Sequence, residues 1–193
     1  MDAPEQPQIY LITPPEVELS QFPAQLAAVL DAHPVACVRM ALSTRDEDRL
    51  ARAGDALREL THARDVALDG VHLSDAARTV RHARKELGED AIVGAFCGTS
   101  RHEGMAAGEA GADYISFGPT QASALGDGSF AEADLFQWWS EVIEVPVVAE
   151  GALDINMIRD LAPRTDFFGI GTEIWDKDDP VAELATLIAA MQG

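Results

Sequence analysis

The sequence is poor in basic residues: 14 lysines and arginines stand against 33 aspartates and glutamates, and the formal net charge is −19 at pH 7. Such a surface repels phosphate backbones and anionic lipid headgroups. We therefore expect neither a nucleic acid nor a membrane as a partner. An anionic small molecule would need a local pocket of backbone N–H groups or a few well-placed cations.

Cysteine is also scarce, since Cys37 and Cys97 are the only two and each lies in an apolar run. Two cysteines without Cys-x-x-Cys spacing exclude a disulfide scaffold and indicate a reduced, cytoplasmic protein. No run approaches the roughly 20 apolar residues of a membrane span. The acidic, proline-rich start "MDAPEQPQ" is unlike a signal peptide. The oligomeric state is left open, a homodimer included.

Short apolar runs alternate along the chain with longer segments of helical periodicity. The runs are mostly apolar throughout, which is typical of parallel strands buried on both faces. Thr44, Ser74, Ser100 and Asp179 are predicted to begin helices, because their side chains can accept the free N–H groups of a first turn. The predicted strands span residues 8–13, 35–42, 69–73, 91–96, 113–118, 145–150 and 167–171.

Repeated βα units predict a parallel sheet, either doubly wound or closed into a barrel. Glycines follow several strands of the second half (Gly118, Gly151 and Gly171), and no G-x-G-x-x-G motif follows the first strand. Both features favour the barrel over a dinucleotide-binding fold. We predict an α/β protein, a (β/α)₈ TIM barrel that forms a single domain over residues 1–193 with residues 1–7 as a tail.

One βα unit of this barrel is shortened or missing around residues 65–69. The stretch "HARDVALDGVHL" (62–73) runs one strand start directly into the next strand, whereas a parallel crossover needs about a dozen residues or more. Either the protein has lost a unit or the given chain omits one. A missing unit would also explain the length, since barrels typically have about 250 residues.

Four side chains are candidates for chemistry. Arg39, inside "ACVRMAL", is costly to bury unless it is paired or faces a polar cavity, so it predicts either an anion clamp at the barrel mouth or an ion pair. Glu150, at the end of an apolar strand, predicts a general acid or base, or the partner of Arg39. His72 is either a hydrogen-bonded core residue or a catalyst. Asp75 caps a helix or, on a weaker interpretation, binds a metal.

The ends of the last two predicted strands are rich in small residues. In barrels, backbone N–H groups at these positions often hold a phosphate. Gly151, Gly171 and Thr172 are the candidates here, with the Thr172 hydroxyl as an additional donor. Alternatively, these glycines relieve crowding and bind nothing.

These stretches resemble the family of thiamine-phosphate synthases and TenI-type thiazole tautomerases, which are single-domain barrels. The matching segments are "YLIT" (10–13), the strand of Arg39, "DGVHL" (69–73), "GADYISFGP" (111–119), "VPVVAEGAL" (145–153) and "GIGTEIWDKDDP" (169–180).

The resemblance implies a role in thiamine biosynthesis. The family's synthases join an aminopyrimidine methyl pyrophosphate to a thiazole phosphate: the pyrophosphate leaves and the thiazole nitrogen attacks the resulting carbocation. The resemblance implies that Arg39 holds the pyrophosphate, with Mg²⁺ assisting, and that Gly151, Gly171 and Thr172 hold the thiazole phosphate. It also leaves Ser123 as a hydroxyl in the loop over the ligand.

Departures from the family pattern keep two other hypotheses open. Ala41 and Gly126 stand where the family places lysines, which favours a non-catalytic ligand-binding or regulatory barrel that has lost its pyrophosphate and metal site. The third hypothesis is a TenI-like isomerase that uses Glu150 or His72.

Overall fold

The computed structural model describes residues 6–122 and 126–193 and forms one parallel, nearly closed barrel. Every pairing between neighbouring strands is parallel, and the strand order is β2-β1-β7-β6-β5-β4-β3. All of the predicted strands are confirmed. They are β1 (Gln8–Ile12), β2 (Cys37–Arg39), β3 (Gly70–Leu73), β4 (Ile92–Phe96), β5 (Tyr114–Phe117), β6 (Val147–Glu150) and β7 (Phe167–Ile170).

The helices surround this sheet. They are α1 (Phe22–Ala32), α2 (Glu47–His62), α3 (Val80–Leu87), α4 (Arg101–Glu109), α5 (Ala133–Val142), α6 (Ile155–Leu161), α7 (Thr172–Trp175) and α8 (Pro180–Met191). Alternate strand residues such as Val93, Ile115 and Phe168 share one fully buried apolar core with helix residues such as Leu57 and Trp139. Because side chains alternate along a strand, the remaining positions face the barrel interior. No helix of the described residues is long and apolar enough to cross a membrane.

The barrel wall is incomplete between β2 and β3, which are consecutive in the chain yet lie at opposite ends of the strand order. Ala67 forms an isolated parallel bridge with Cys37, and the N–H of Val38 donates to the carbonyl of Ala67 at 2.9 Å. No helix separates Ala67 from β3. The prediction of a shortened βα unit around residues 65–69 is therefore confirmed: one bridged residue remains of the strand, and its helix is absent.

Two of the predicted helix starts are confirmed and two are wrong. The side chains of Ser100 and Asp179 cap α4 and α8, as predicted. Helix α2 is capped by Asp46 rather than Thr44, because the Asp46 carboxylate accepts from the N–H of Arg49 at 3.1 Å. Helix α3 begins six residues after Ser74, since residues 74–79 form turns.

Candidate active site

An ion pair lies at the carboxyl ends of β2 and β6. The guanidinium of Arg39 donates to both carboxylate oxygens of Glu150, at 2.9 and 3.2 Å, and the two side chains are only 16% and 12% exposed. The ion-pair interpretation of these residues is thus the one that the structure shows. Such a bidentate pair compensates the charge of Arg39. The guanidinium therefore attracts an incoming anion less strongly than an unpaired arginine would.

A chain of hydrogen bonds continues from Arg39 into the barrel. Nη1 of Arg39 lies 2.7 Å from Nε2 of His72, Nδ1 of His72 lies 2.8 Å from the hydroxyl of Tyr114, and that hydroxyl lies 2.6 Å from the hydroxyl of Tyr10. An arginine can only donate, so Nε2 of His72 accepts and its proton is on Nδ1. His72 therefore donates to Tyr114 as a neutral imidazole.

Burial reinforces these protonation states. Burial, with the positive charge of Arg39, lowers the pKa of His72 from 6.5 to about 3. Burial also raises the pKa of Tyr114 to about 12 and that of Tyr10 further still. Burial alone would lower the pKa of Arg39, but the charge and the hydrogen bond of Glu150, together with the nearby tyrosines, raise that pKa. The network is consequently one ion pair followed by three neutral groups at physiological pH.

Interior glycines make room for these large side chains. A Cβ built on Gly94 would lie 2.0 Å from Cζ of Tyr114, and one on Gly169 would lie 2.8 Å from Cβ of Glu150. The tyrosine ring thus fills the space that a side chain on β4 would take. The sequence places glycine where the barrel interior holds its polar network.

A cavity of about 1030 Å³ runs along this network. It is lined by Arg39, His72 and Tyr114 on the interior side, and it extends through the incomplete wall to Gly54 and Arg58 of α2. The shortened βα unit therefore opens the barrel interior sideways as well as at its mouth.

The ends of β6 and β7 form the other half of the site. Gly151 has φ +83, a conformation that favours glycine, and its carbonyl accepts from the Thr120 hydroxyl at 2.9 Å. The N–H of Gly171 donates to the Glu173 carboxylate at 2.8 Å. Hence a backbone donor at the end of β7 already points at a negatively charged group.

The remaining predicted site residues are dispersed. Thr172 is exposed at the start of α7, and Ser123 lies outside the described residues. The Asp75 carboxylate accepts from the Thr79 hydroxyl at 2.8 Å and does not cap α3, so its prediction as a helix cap is wrong. Among the residues that the structure describes, no three His, Cys, Asp or Glu side chains are placed to hold a metal. This finding concerns a site built from three protein side chains, whereas Mg²⁺ is usually held by one or two carboxylates together with the phosphates of a substrate.

Sequence reasoning did not find Tyr10, Tyr114 or Glu173. The two tyrosines occupy inward-facing strand positions, which the period-two pattern of "QIYLI" and "YISF" could have indicated once the inward register was known. Glu173 carried no comparable signal, because its contact with Gly171 depends on how the short helix α7 turns.

A parallel barrel with a polar cluster and glycine-rich loops at its strand ends belongs to the class of α/β barrels that hold small ligands at this face. The sequence matches the family described as thiamine monophosphate synthase over residues 9–170, and the chain belongs to that family. This membership supports a function in thiamine biosynthesis.

Curated relatives agree with the family match. The chain is 36% identical to the thiamine-phosphate synthase of Rhodospirillum centenum, with 96% of this chain and 98% of the relative covered. It is 34% identical to that of Erythrobacter litoralis, with 91% of each covered. The first alignment spans 203 positions, more than the 193 residues of this chain, so the relative carries residues that have no counterpart here.

Solved structures confirm the fold. Thiamine phosphate pyrophosphorylase from Pyrococcus furiosus superimposes with a TM-score of 0.80 at 21% identity, over 96% of this chain and 97% of that one. A geranylgeranylglyceryl phosphate synthase from Thermoplasma acidophilum gives 0.73 at 11% identity, over 96% and 93%. At these identities the likeness shows the TIM-barrel fold alone.

Proposed function

We propose that this chain binds a small phosphorylated, thiazole-phosphate-like ligand at the carboxyl ends of β6 and β7 and couples it to an aminopyrimidine pyrophosphate. The observation that carries the proposal is the Gly171 N–H, which already donates to a carboxylate at 2.8 Å. A phosphate oxygen is a negatively charged acceptor, as the carboxylate oxygen is, and can replace that carboxylate. Thr172, exposed beside it, supplies a hydroxyl.

In the coupling, the bond between the pyrimidine methylene carbon and the pyrophosphate oxygen breaks, and the pyrophosphate leaves with the electron pair. The thiazole nitrogen then forms the new carbon–nitrogen bond. Negative charge grows on the leaving group, and Arg39, which lines the cavity, can stabilise that charge. Glu150 and His72 act through Arg39, because both are hydrogen-bonded to its guanidinium.

A second function, ligand binding without catalysis, is favoured by the same ion pair. The charge of Arg39 is compensated by Glu150, and Ala41 and Gly126 stand in place of two lysines that the family resemblance calls for. Losing a cation at a leaving group costs orders of magnitude in rate. A barrel that lacks cations for the leaving pyrophosphate would still bind the thiazole phosphate.

Two measurements separate the functions. Calorimetric titration with thiazole phosphate tests binding, and a single-turnover assay with the pyrimidine pyrophosphate and Mg²⁺ tests coupling. Coupling that Arg39→Met abolishes supports the synthase; binding without coupling supports the second function. Arg64→Met is the matched control, since Arg64 pairs with Asp31 on the surface. The absence of thiazole-phosphate binding would contradict both.

A further inference from the structure

Two backbone N–H groups at the ends of β6 and β7 donate to the same carboxylate. One oxygen of Glu173 accepts from the N–H of Gly171 at 2.8 Å, and the other accepts from the N–H of Leu153 at 3.4 Å. Backbone N–H groups that converge on a carboxylate can also bind another anion, because such bonds are strengthened by the charge of the acceptor. Leu153 therefore adds a second backbone donor to the half of the site that Gly171 defines.

The peptide that carries the Leu153 N–H is held from its opposite end. This peptide, between Ala152 and Leu153, is trans, so its C=O and N–H point in opposite directions within one rigid plane. The carbonyl of Ala152 accepts from Nε2 of Gln121 at 2.7 Å and from the hydroxyl of Thr120 at 3.3 Å. The groups that fix this carbonyl therefore also fix the direction of the Leu153 N–H.

The backbone at Ala152 needs such support. Its φ of +55 lies in the left-handed region, which a residue with a Cβ rarely adopts. Such a conformation persists only where neighbouring groups hold it. The Thr120 hydroxyl, buried in the loop after β5, also donates to the carbonyl of Gly151 at 2.9 Å. Thr120 and Gln121 together thus hold the loop after β6 in its strained form.

The Gln121 side chain has a fixed orientation of its own. Its Nε2 also donates to Oδ2 of Asp154 at 3.0 Å, while Oδ1 of Asp154 accepts from the N–H of Met157 at 2.8 Å. The carbonyl of Ala152 and the carboxylate of Asp154 can only accept, so the amide nitrogen of Gln121 must face them. Gln121 therefore ties the loop after β5 to the start of α6.

We propose that Gln121 is a positioning residue for phosphate binding: it holds the Ala152 carbonyl and thereby aims the Leu153 N–H at the phosphate. Thr120 assists from the same loop. Gln121 does not have to touch the ligand, because it acts on the far end of the peptide that donates. This role rests on the proposed function, since the acceptor is the phosphate group of that ligand.

The test follows the backbone amide signals of Leu153 and Gly171 by NMR in the isotope-labelled full chain. Thiazole phosphate and, separately, inorganic phosphate are the probes. In the wild type we expect both amide signals to shift with each probe. Gln121→Met keeps the length of the side chain and removes its donor, so we expect about five- to ten-fold weaker phosphate binding. At saturation the Leu153 shift should be reduced and the Gly171 shift retained.

Two further variants sharpen this result. Gln121→Glu keeps the shape of the side chain but cannot donate as a carboxylate, so it should give the same difference between the two amides if Gln121→Met fails to fold. Gln137→Met is the matched control, because Gln137 bonds to Glu141 within α5. It should bind both probes as the wild type does.

Three results would overturn the role of Gln121: wild-type affinity in both Gln121 variants, an equal reduction of the Leu153 and Gly171 shifts, or no Leu153 shift in the wild type with either probe. Failure of the proposed function looks different. Thiazole phosphate would then not bind, while inorganic phosphate would still shift both amides in the wild type and mainly Gly171 in Gln121→Met.

Discussion

The two halves of the barrel mouth differ in the group that could bind an anion: a side-chain cation in one half and a backbone N–H group in the other. On the β2 side, the two terminal nitrogens of Arg39 bind Glu150 and His72, so the charge of the cation is compensated within the protein, while its buried Nε has no partner among the described residues. On the β6–β7 side, the Glu173 carboxylate accepts hydrogen bonds from the backbone N–H groups of Gly171 and Leu153. A site can therefore keep a backbone N–H group that donates to an anion while the positive charge in its other half is paired within the protein.

Breaking the Arg39–Glu150 ion pair should have the largest effect on the free energy of unfolding. Glu150→Ala leaves the guanidinium of Arg39 buried without its counter-ion, and we expect a loss of about 3–5 kcal/mol in the free energy of unfolding. Urea denaturation followed by circular dichroism measures it.

The double variant R39M/E150L should recover most of this loss, because it removes the unpaired charge as well. Asp31→Asn is the matched control: Asp31 pairs with Arg64 on the surface, and its loss should barely move the denaturation midpoint. If Glu150→Ala and Asp31→Asn were equally mild, the pairing described for Arg39 would be wrong.

Lowering the pH is expected to have a smaller effect on the free energy of unfolding. The folded-state pKa of His72 is lowered to about 3, while an unfolded histidine titrates near 6.5. Between these values the unfolded chain binds a proton that the folded chain does not, so stability falls as the pH falls below 6.5, by at most about 1.4 kcal/mol per pH unit. The measurement is the unfolding free energy between pH 7 and pH 4.5.

His72→Gln isolates this contribution, because glutamine does not titrate. The wild type should lose more stability than the variant over this range, and above pH 7 the difference between the two should no longer change with pH. Parallel curves below pH 6.5 would show that His72 does not carry the depressed pKa.

The smallest effect is expected at the ends of β6 and β7, on the affinity for thiazole phosphate. Glu173→Gln removes the negative charge that competes for the Gly171 N–H, so the affinity for thiazole phosphate should rise by about two- to ten-fold. Calorimetric titration measures this, with Glu183→Gln on α8 as the control. A lower affinity in Glu173→Gln would mean that the carboxylate helps the ligand bind.

Much of the fold follows from local sequence. Each buried strand is an apolar run, and Ser100 and Asp179 cap their helices through contacts three residues away. The shortened unit was visible as well, because "DVALDG" leaves no room for a helix. The start of α3 was missed because turns over residues 74–79 replace the expected first helical turn.

The site was harder to predict, because its contacts join distant strands. Arg39 and Glu150 were singled out as charges in apolar strands, and their pairing across 111 residues was one of two interpretations. The bond between Tyr10 and Tyr114 spans 104 residues and depends on the barrel's register. The space that Gly94 leaves for the Tyr114 ring depends on the same register. No local pattern encodes such contacts.

A crystal structure of the chain with thiazole phosphate would test most directly whether the β6–β7 half holds the ligand. We predict that the phosphate accepts a hydrogen bond from the N–H of Gly171, that the Glu173 side chain has turned away, and that the Arg39–Glu150 pair is intact. A phosphate bound to Arg39, with Glu173 still on Gly171, would contradict this assignment.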